Sequence, residues 1–186
     1  MLYNAKNGNL KFENTDMDYI SFGTGKKVLI MIPGLGDGLM TVRGKALPFA
    51  WMYRMFAKDF TVYVFGRKNE LKEGCTCRDM ARDLKEAMDM LGIEKANVLG
   101  VSQGGMIGQY LAIDRPDLVK KLVLAVTLSQ NNHMVQSVIH HWVTLCEQGK
   151  MKQLVTDMAL RMYSDAYVKC YKPFMPLLTV LQKPKD

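Results

Sequence analysis

The stretch Val98 to Ala112, VLGVSQGGMIGQYLA, constrains this chain more than any other. An apolar run ends at Ser102, glycines stand at 100, 104 and 105, and a helical pattern follows at once. Glycine costs backbone entropy inside a strand or a helix, so this clustering needs a reason. A strand that turns directly into a helix supplies one. Such a turn is so sharp that the residues two before and two after the serine nearly touch, and only hydrogen side chains fit at Gly100 and Gly104. The turn pushes the hydroxyl outward, and the helix N-terminus behind it favours developing negative charge. Gly105 and Gly108, three apart, let that helix lie close against a sheet. The plainer alternative is a glycine-rich turn in which Ser102 only caps the helix.

The flanking chain fits an alternation of strands and helices. Two short stretches, Leu10–Glu13 and Asp18–Phe22, read as an antiparallel pair, followed by a turn at Gly23-Thr24-Gly25. The continuous apolar runs Val28–Pro33, Phe60–Phe65, Ala96–Val101 and Lys121–Val126 read as buried strands. Phe49–Ala57 reads as a short helix. Thr76 and Asp79 have the spacing of a capping box, and Met80, Leu84, Ala87, Met88 and Leu91 then recur at helical spacing up to Gly92. Gln103–Ile113 is a helix stopped near Pro116. Strands alternating with helices imply an α/β fold, a mostly parallel sheet with helices on both faces. After Val126 the pattern becomes wholly helical. Val135, Val138, Ile139, Trp142 and Cys146 mark one helix ending at Gly149, Met151 to Met162 a second, and Asp165–Tyr171 a third. The expected division is residues 1–127 as the α/β part and 128–186 as a helical segment.

Composition matters here mainly for what it excludes. The chain of 186 residues is 48% hydrophobic and 23% charged, which is globular composition. Its net charge is +7, but the basic residues are scattered in pairs such as Lys26-Lys27 and Lys120-Lys121, with no recognition motif, so no nucleic-acid partner is expected. No apolar stretch approaches the roughly 20 residues of a membrane span. The start, MLYNAKNGNLKFENTD, lacks the apolar core of a signal peptide, and the cytoplasm is the expected location. Cys75 and Cys77 are spaced unlike a zinc or redox pair, and no metal or cofactor motif is present. The fifteen methionines fall mostly on apolar helix faces, where adaptable core packing accounts for them.

A second loop agrees with the first. Pro33-Gly34-Leu35-Gly36 follows the first buried strand, beside the strand that leads to Ser102. With IPGLGDG, TCRDMARDLKEAMDMLGI, GVSQGGMIGQYLA and RPDLVKKLVLA in this order, the chain resembles the α/β-hydrolase superfamily over roughly Val28–Val126. The resemblance implies a serine esterase-like enzyme. In it Ser102 is the nucleophile, Gly100 and Gly104 form the elbow, and the backbone N–H groups of Leu35 and Gln103 make the oxyanion hole. It also implies a leading antiparallel strand pair, six strands in all, and a cap after the sixth strand, here residues 128–186. Many relatives carry histidine where this chain has Pro33. The donor is a backbone group one residue beyond Gly34, so that departure need not abolish the hole.

The resemblance further implies an acid after a seventh strand and a histidine after an eighth. The expectation is that both lie beyond Asp186, the sheet of this chain stopping after its sixth strand. His133, His140 and His141 all fall in the cap, with His133 the one candidate base, and Asp37 reads as an ordinary loop residue. The expected partner is a small-molecule ester or acyl substrate. The edge strand Lys121–Val126 is expected to pair with a second copy or a second polypeptide segment. A non-catalytic α/β-hydrolase-like binding protein remains an alternative. So do acyltransferase, thioesterase, lactonase and peptidase activities on the same motifs.

Overall fold

In the computed structural model, residues 2–35 and 41–171 are described. They form two compact units, Met1–Ser129 and Gln130–Asp186. The first is built on a sheet of six strands: β1 (Lys6–Lys11), β2 (Asp16–Phe22), β3 (Lys27–Ile32), β4 (Phe60–Lys68), β5 (Ala96–Val101) and β6 (Val119–Ala125). Their order across the sheet is β1-β2-β4-β3-β5-β6. β1 and β2 form an antiparallel hairpin, and β2 joins β4 antiparallel. From β4 through β3 and β5 to β6 all pairings are parallel.

Helices cover both faces, as the alternation predicts. Along β3 the side chains alternate. Leu29 and Met31 join one core with Val62, Val64, and Ala46 and Ala50 of α1 (Ala46–Met52). Ile30 and Ile32 join the other with Val98, with Leu84 and Met88 of α2 (Cys77–Met90), and with Ile107 and Leu111 of α3 (Gln103–Asp114). This is the two-sided burial that makes a strand read as an unbroken apolar run.

α2 begins where its capping box places it. The Thr76 hydroxyl accepts from the Asp79 N–H, and the Asp79 side chain accepts from the Thr76 N–H. It ends at Gly92, whose φ of +65° suits glycine.

Several boundaries differ from the sequence expectation, for identifiable reasons. The first strand lies at Lys6–Lys11 rather than Leu10–Glu13, because its register with β2 runs from Lys6↔Ser21 to Lys11↔Asp16 and its polar residues sit on an exposed edge. The Phe49–Ala57 helix starts earlier, at Ala46, and breaks at Tyr53 into a short 3₁₀ turn over Arg54–Phe56. β4 runs on to Lys68, which pairs with Met17. The last strand is Val119–Ala125 and excludes Val126, whose φ of +45° takes the chain out of the sheet. Among the described residues β6 pairs only with β5, and Val123 and Leu124 are exposed.

The second unit contains α4 (His133–Glu147), α5 (Met151–Met162) and α6 (Asp165–Tyr171). Asn132 caps α4, its side chain accepting from the Val135 N–H at 2.9 Å. Trp142 Nε1 and Arg161 Nε both donate to Asp157 Oδ2, each at 2.7 Å, joining α4 to α5. Leu145, not its neighbour Cys146, is the buried residue of α4. Among the described residues no helix is long and apolar enough to cross a membrane.

Candidate active site

The parallel strands β4, β3, β5 and β6 all run the same way, so their C-terminal ends line one edge of the sheet, where sheets of this kind bind ligands. In that order the ends deliver Arg67, Pro33-Gly34-Leu35, Ser102-Gln103 and Thr127.

Ser102 is the single residue between β5 and α3, with φ +52° and ψ −121°. An L-residue rarely occupies this region, and holding one there requires strong surroundings. They are visible in the backbone bonds. The Ser102 N–H donates to the Ala125 carbonyl at 2.9 Å. The Ser102 carbonyl accepts from the Gly105 N–H at 2.9 Å and from the Thr127 hydroxyl at 2.7 Å. The side chain is exposed and makes no capping bond to α3, although Ser102 stands at the N-cap position. The hydroxyl is therefore not spent on the helix.

The glycines show why the turn tolerates nothing larger. A Cβ on Gly100 would lie 2.5 Å from the Gly104 carbonyl oxygen. One on Gly104 would lie 2.0 Å from the Ile32 carbonyl oxygen and 2.6 Å from that of Pro33. One on Gly105 would collide with the Thr127 side chain at 2.6 Å. α3 thus packs its first turn directly onto the end of β3 and beside the segment that follows β6.

The loop after β3 meets the serine. A Cβ on Gly34 would stand 3.2 Å from Ser102 Cβ and 3.8 Å from its Oγ. Leu35 follows, with its side chain 37% exposed. The structure therefore brings together Gly34, Ser102, Gly100, Gly104 and the start of α3 at Gln103. Gly36 and Asp37 lie outside the described residues. His133, His140 and His141 belong to the second unit, and residues 1–129 contain no histidine.

Two polar residues of this edge carried no signal in the sequence reading. Thr127, just beyond β6, holds the Ser102 carbonyl. Arg67, near the end of β4, donates through Nη2 to the Pro33 carbonyl at 2.8 Å and reaches Gln103 Oε1 at 3.4 Å. Burial draws the Arg67 pKa down to about 10, which leaves it charged at neutral pH, and the nearby Cys77 thiol pulls it the other way. Burial raises the Cys77 thiol in turn, with Arg67 opposing. Among the described residues no group of three or more His, Cys, Asp or Glu side chains is placed to hold a metal ion.

Comparison with known proteins agrees with this architecture. The family model for the alpha/beta hydrolase fold matches residues 27–145, and the chain belongs to that family. A relative from Cronobacter turicensis named "Putative carbamate hydrolase RutD" is 33% identical over 155 residues, which cover 82% of this chain and 51% of that protein. One of the same name from Caulobacter vibrioides is 35% identical over 103 residues, 54% of this chain and 37% of that protein. The chain thus spans about half or less of the length of these curated relatives. Among solved structures, MGS-M2, an alpha/beta hydrolase from a Medee basin deep-sea metagenome library, superposes with a TM-score of 0.78 at 20% identity, over 94% of this chain and 64% of that one. The enol-lactonase of Burkholderia xenovorans LB400 does so with a TM-score of 0.70 at 19% identity, over 92% and 66%. Hydrolases thus recur among the relatives and the structural neighbours.

Proposed function

We propose that this chain carries the nucleophile and oxyanion hole of a serine hydrolase acting on carboxylic esters. The observation that supports this most is Ser102 itself. A strained serine at a strand–helix turn, with a hydroxyl that makes no capping bond and a second backbone loop packed against it, has the arrangement acyl transfer needs. Ser102 Oγ bonds to the ester carbonyl carbon while its proton passes to a base. The Leu35 and Gln103 N–H groups hold the oxygen that becomes negative. The C–O bond then breaks, the alcohol leaves with that proton, and water releases the acid from the acyl-enzyme. Residues 1–129 contain no histidine, so the base comes from elsewhere in the protein.

A carbamate is the second reading, favoured by the relative whose match covers 82% of this chain. Its carbonyl also bears a heteroatom leaving group, so the same nucleophile and hole would serve.

The test is hydrolysis of p-nitrophenyl acetate, and of an aryl carbamate in parallel, by the full gene product and by its Ser102→Ala variant. We expect kcat/KM to fall by about three orders of magnitude or more in the variant. Retained activity in Ser102→Ala would remove the reading, and a preference for the carbamate would select the second.

A further inference from the structure

We propose that Arg67 is a positioning residue for this site: its guanidinium ties the loop after β3 to the first residue of α3, and so sets the spacing of the two N–H groups that hold the oxyanion. The inference rests on the roles given above to Ser102, Leu35 and Gln103.

The geometry is direct. One hydrogen-bond donor, Arg67 Nη2, is 2.8 Å from the carbonyl oxygen of Pro33 and 3.4 Å from Gln103 Oε1. Pro33 lies two residues before Leu35 in the same loop, and Gln103 carries the other N–H group. The Pro33 carbonyl is hemmed in from both sides. α3 approaches it so closely that a Cβ on Gly104 would lie 2.6 Å away, and Arg67 reaches it from β4 on the other side. Two backbone donors on separate segments must keep a fixed separation to grip one oxygen. Packing at Gly104 prevents them from moving closer, and the Arg67 bridge prevents them from parting.

A purely stabilising role accounts poorly for an arginine here. No described carboxylate lies within ion-pairing distance of Arg67. Its Nε is buried with no hydrogen-bond partner. For a half-buried cation with no carboxylate against it among the described residues, two neutral acceptors offset the desolvation only in part. Arg67 lines a small cavity with Ile32, Phe65, Met80, Leu84 and Ile107 as well as Lys68 and Asp83, and Asp83 is already paired with Lys68 at 2.8 Å. The charged end is there for what it holds.

Arg67→Met removes the bridge and keeps the stem, and Arg67→Lys restores one donor on a flexible stem. Both are made in the full gene product. They are compared with wild type for melting temperature, for kcat and KM on p-nitrophenyl acetate, and for binding of phenylboronic acid, which adds to the serine as a tetrahedral anion, and of benzoic acid, which does not. We expect Arg67→Met to melt at or above the wild-type temperature. Its kcat should fall about 10- to 100-fold with KM little changed, the upper end being the roughly 100-fold cost of a misplacement of about 1 Å and below the cost of losing an oxyanion donor outright. Phenylboronic acid affinity should fall by the same factor and benzoic acid affinity should hold, with Arg67→Lys recovering part of both losses. If Arg67→Met fails to fold, Arg67→Lys and Arg67→Gln carry the same comparison.

Wild-type kcat and boronic acid affinity in folded Arg67→Met would overturn the proposal. So would equal losses in boronic and benzoic acid binding, which mark general disruption. Failure of the underlying reading looks different: an active Ser102→Ala variant, or a wild-type protein that takes no boronic acid at Ser102.

Discussion

The strain at Ser102 can be measured without any substrate. Its backbone sits at φ +52° and ψ −121°, a conformation that penalises any residue with a Cβ. Ser102→Ala and Ser102→Gly both delete the hydroxyl, which is exposed and makes no bond to the helix, so that loss is common to both. They differ only in the Cβ. Relief of a strained non-glycine backbone contributes about 1–3 kcal/mol, and the greater freedom of glycine in the unfolded chain takes back about 0.5–1 kcal/mol. The glycine variant should therefore be the more stable by about 1 kcal/mol and at most about 2.5 kcal/mol, each kcal/mol being roughly 2–4 °C in melting temperature for a protein of this size. Urea denaturation followed by circular dichroism reads the difference as a shift in midpoint at constant slope. Both variants should lack esterase activity, which separates the cost of the turn from the chemistry it serves. A glycine variant no more stable than the alanine variant would refute the strain argument, because the bonds to the Ala125 carbonyl and from Gly105 and Thr127 would then hold a conformation that costs nothing.

Gly104→Ala should cost about 1–3 kcal/mol in the same denaturation assay, because its Cβ would stand 2.0 Å from the Ile32 carbonyl, a backbone atom that can yield only if α3 and β3 separate. That separation of about 1 Å should lower kcat on p-nitrophenyl acetate by about 100-fold, and unchanged values of both would contradict the close approach. Asp16 provides a pH signature. Hydrogen bonds from Asn69, Lys11 and Asn9 hold its carboxyl well below the usual carboxylate range. A depressed folded-state pKa contributes stability that is present above the unfolded value of about 3.9 and fades as the pH falls below it toward the folded value. The stability gap between wild type and Asp16→Asn should accordingly stay level from pH 7 to about 5 and narrow below about 4, as urea midpoints across that range would show.

What the sequence reveals here follows the strength of local signals. Strands buried on both faces must be apolar throughout, so β3, with Ile30 and Ile32 in one core and Leu29 and Met31 in the other, stands out in the chain. The capping box of α2 and the glycines around Ser102 are local too, each explained by atoms a few residues away. β1 is different. Lys6, Asn7, Gly8 and Asn9 have little intrinsic strand preference and are held by pairing with β2, information that resides in the partner. Val126 looks like a continuation of its strand, yet it is 85% exposed and turns the chain so that Thr127 can reach Ser102. Arg67 escapes notice for the same reason as β1. Its acceptors, Pro33 and Gln103, lie more than thirty residues away on either side, and no spacing rule links them.

These distant bonds also explain why so much of the edge converges on one serine. A turn with unfavourable dihedrals persists only if its neighbours determine it more strongly than its own preferences do. β6 fixes Ser102 through Ala125 and Thr127, and α3 fixes it through Gly105. The end of β3 blocks any retreat of α3, because Gly104 already rests on the Ile32 carbonyl. β4 then reaches over β3 with Arg67 to hold the loop that faces the hydroxyl. The C-terminal ends of β6, β3 and β4 thus all constrain the turn that follows β5. Gly100 and Gly104 are the places where those constraints meet backbone to backbone, with no side chain between them to give way. Under the proposed reading, in which the Leu35 and Gln103 N–H groups hold an oxyanion, such constraints matter because donors already in place need no reorganisation when the charge appears.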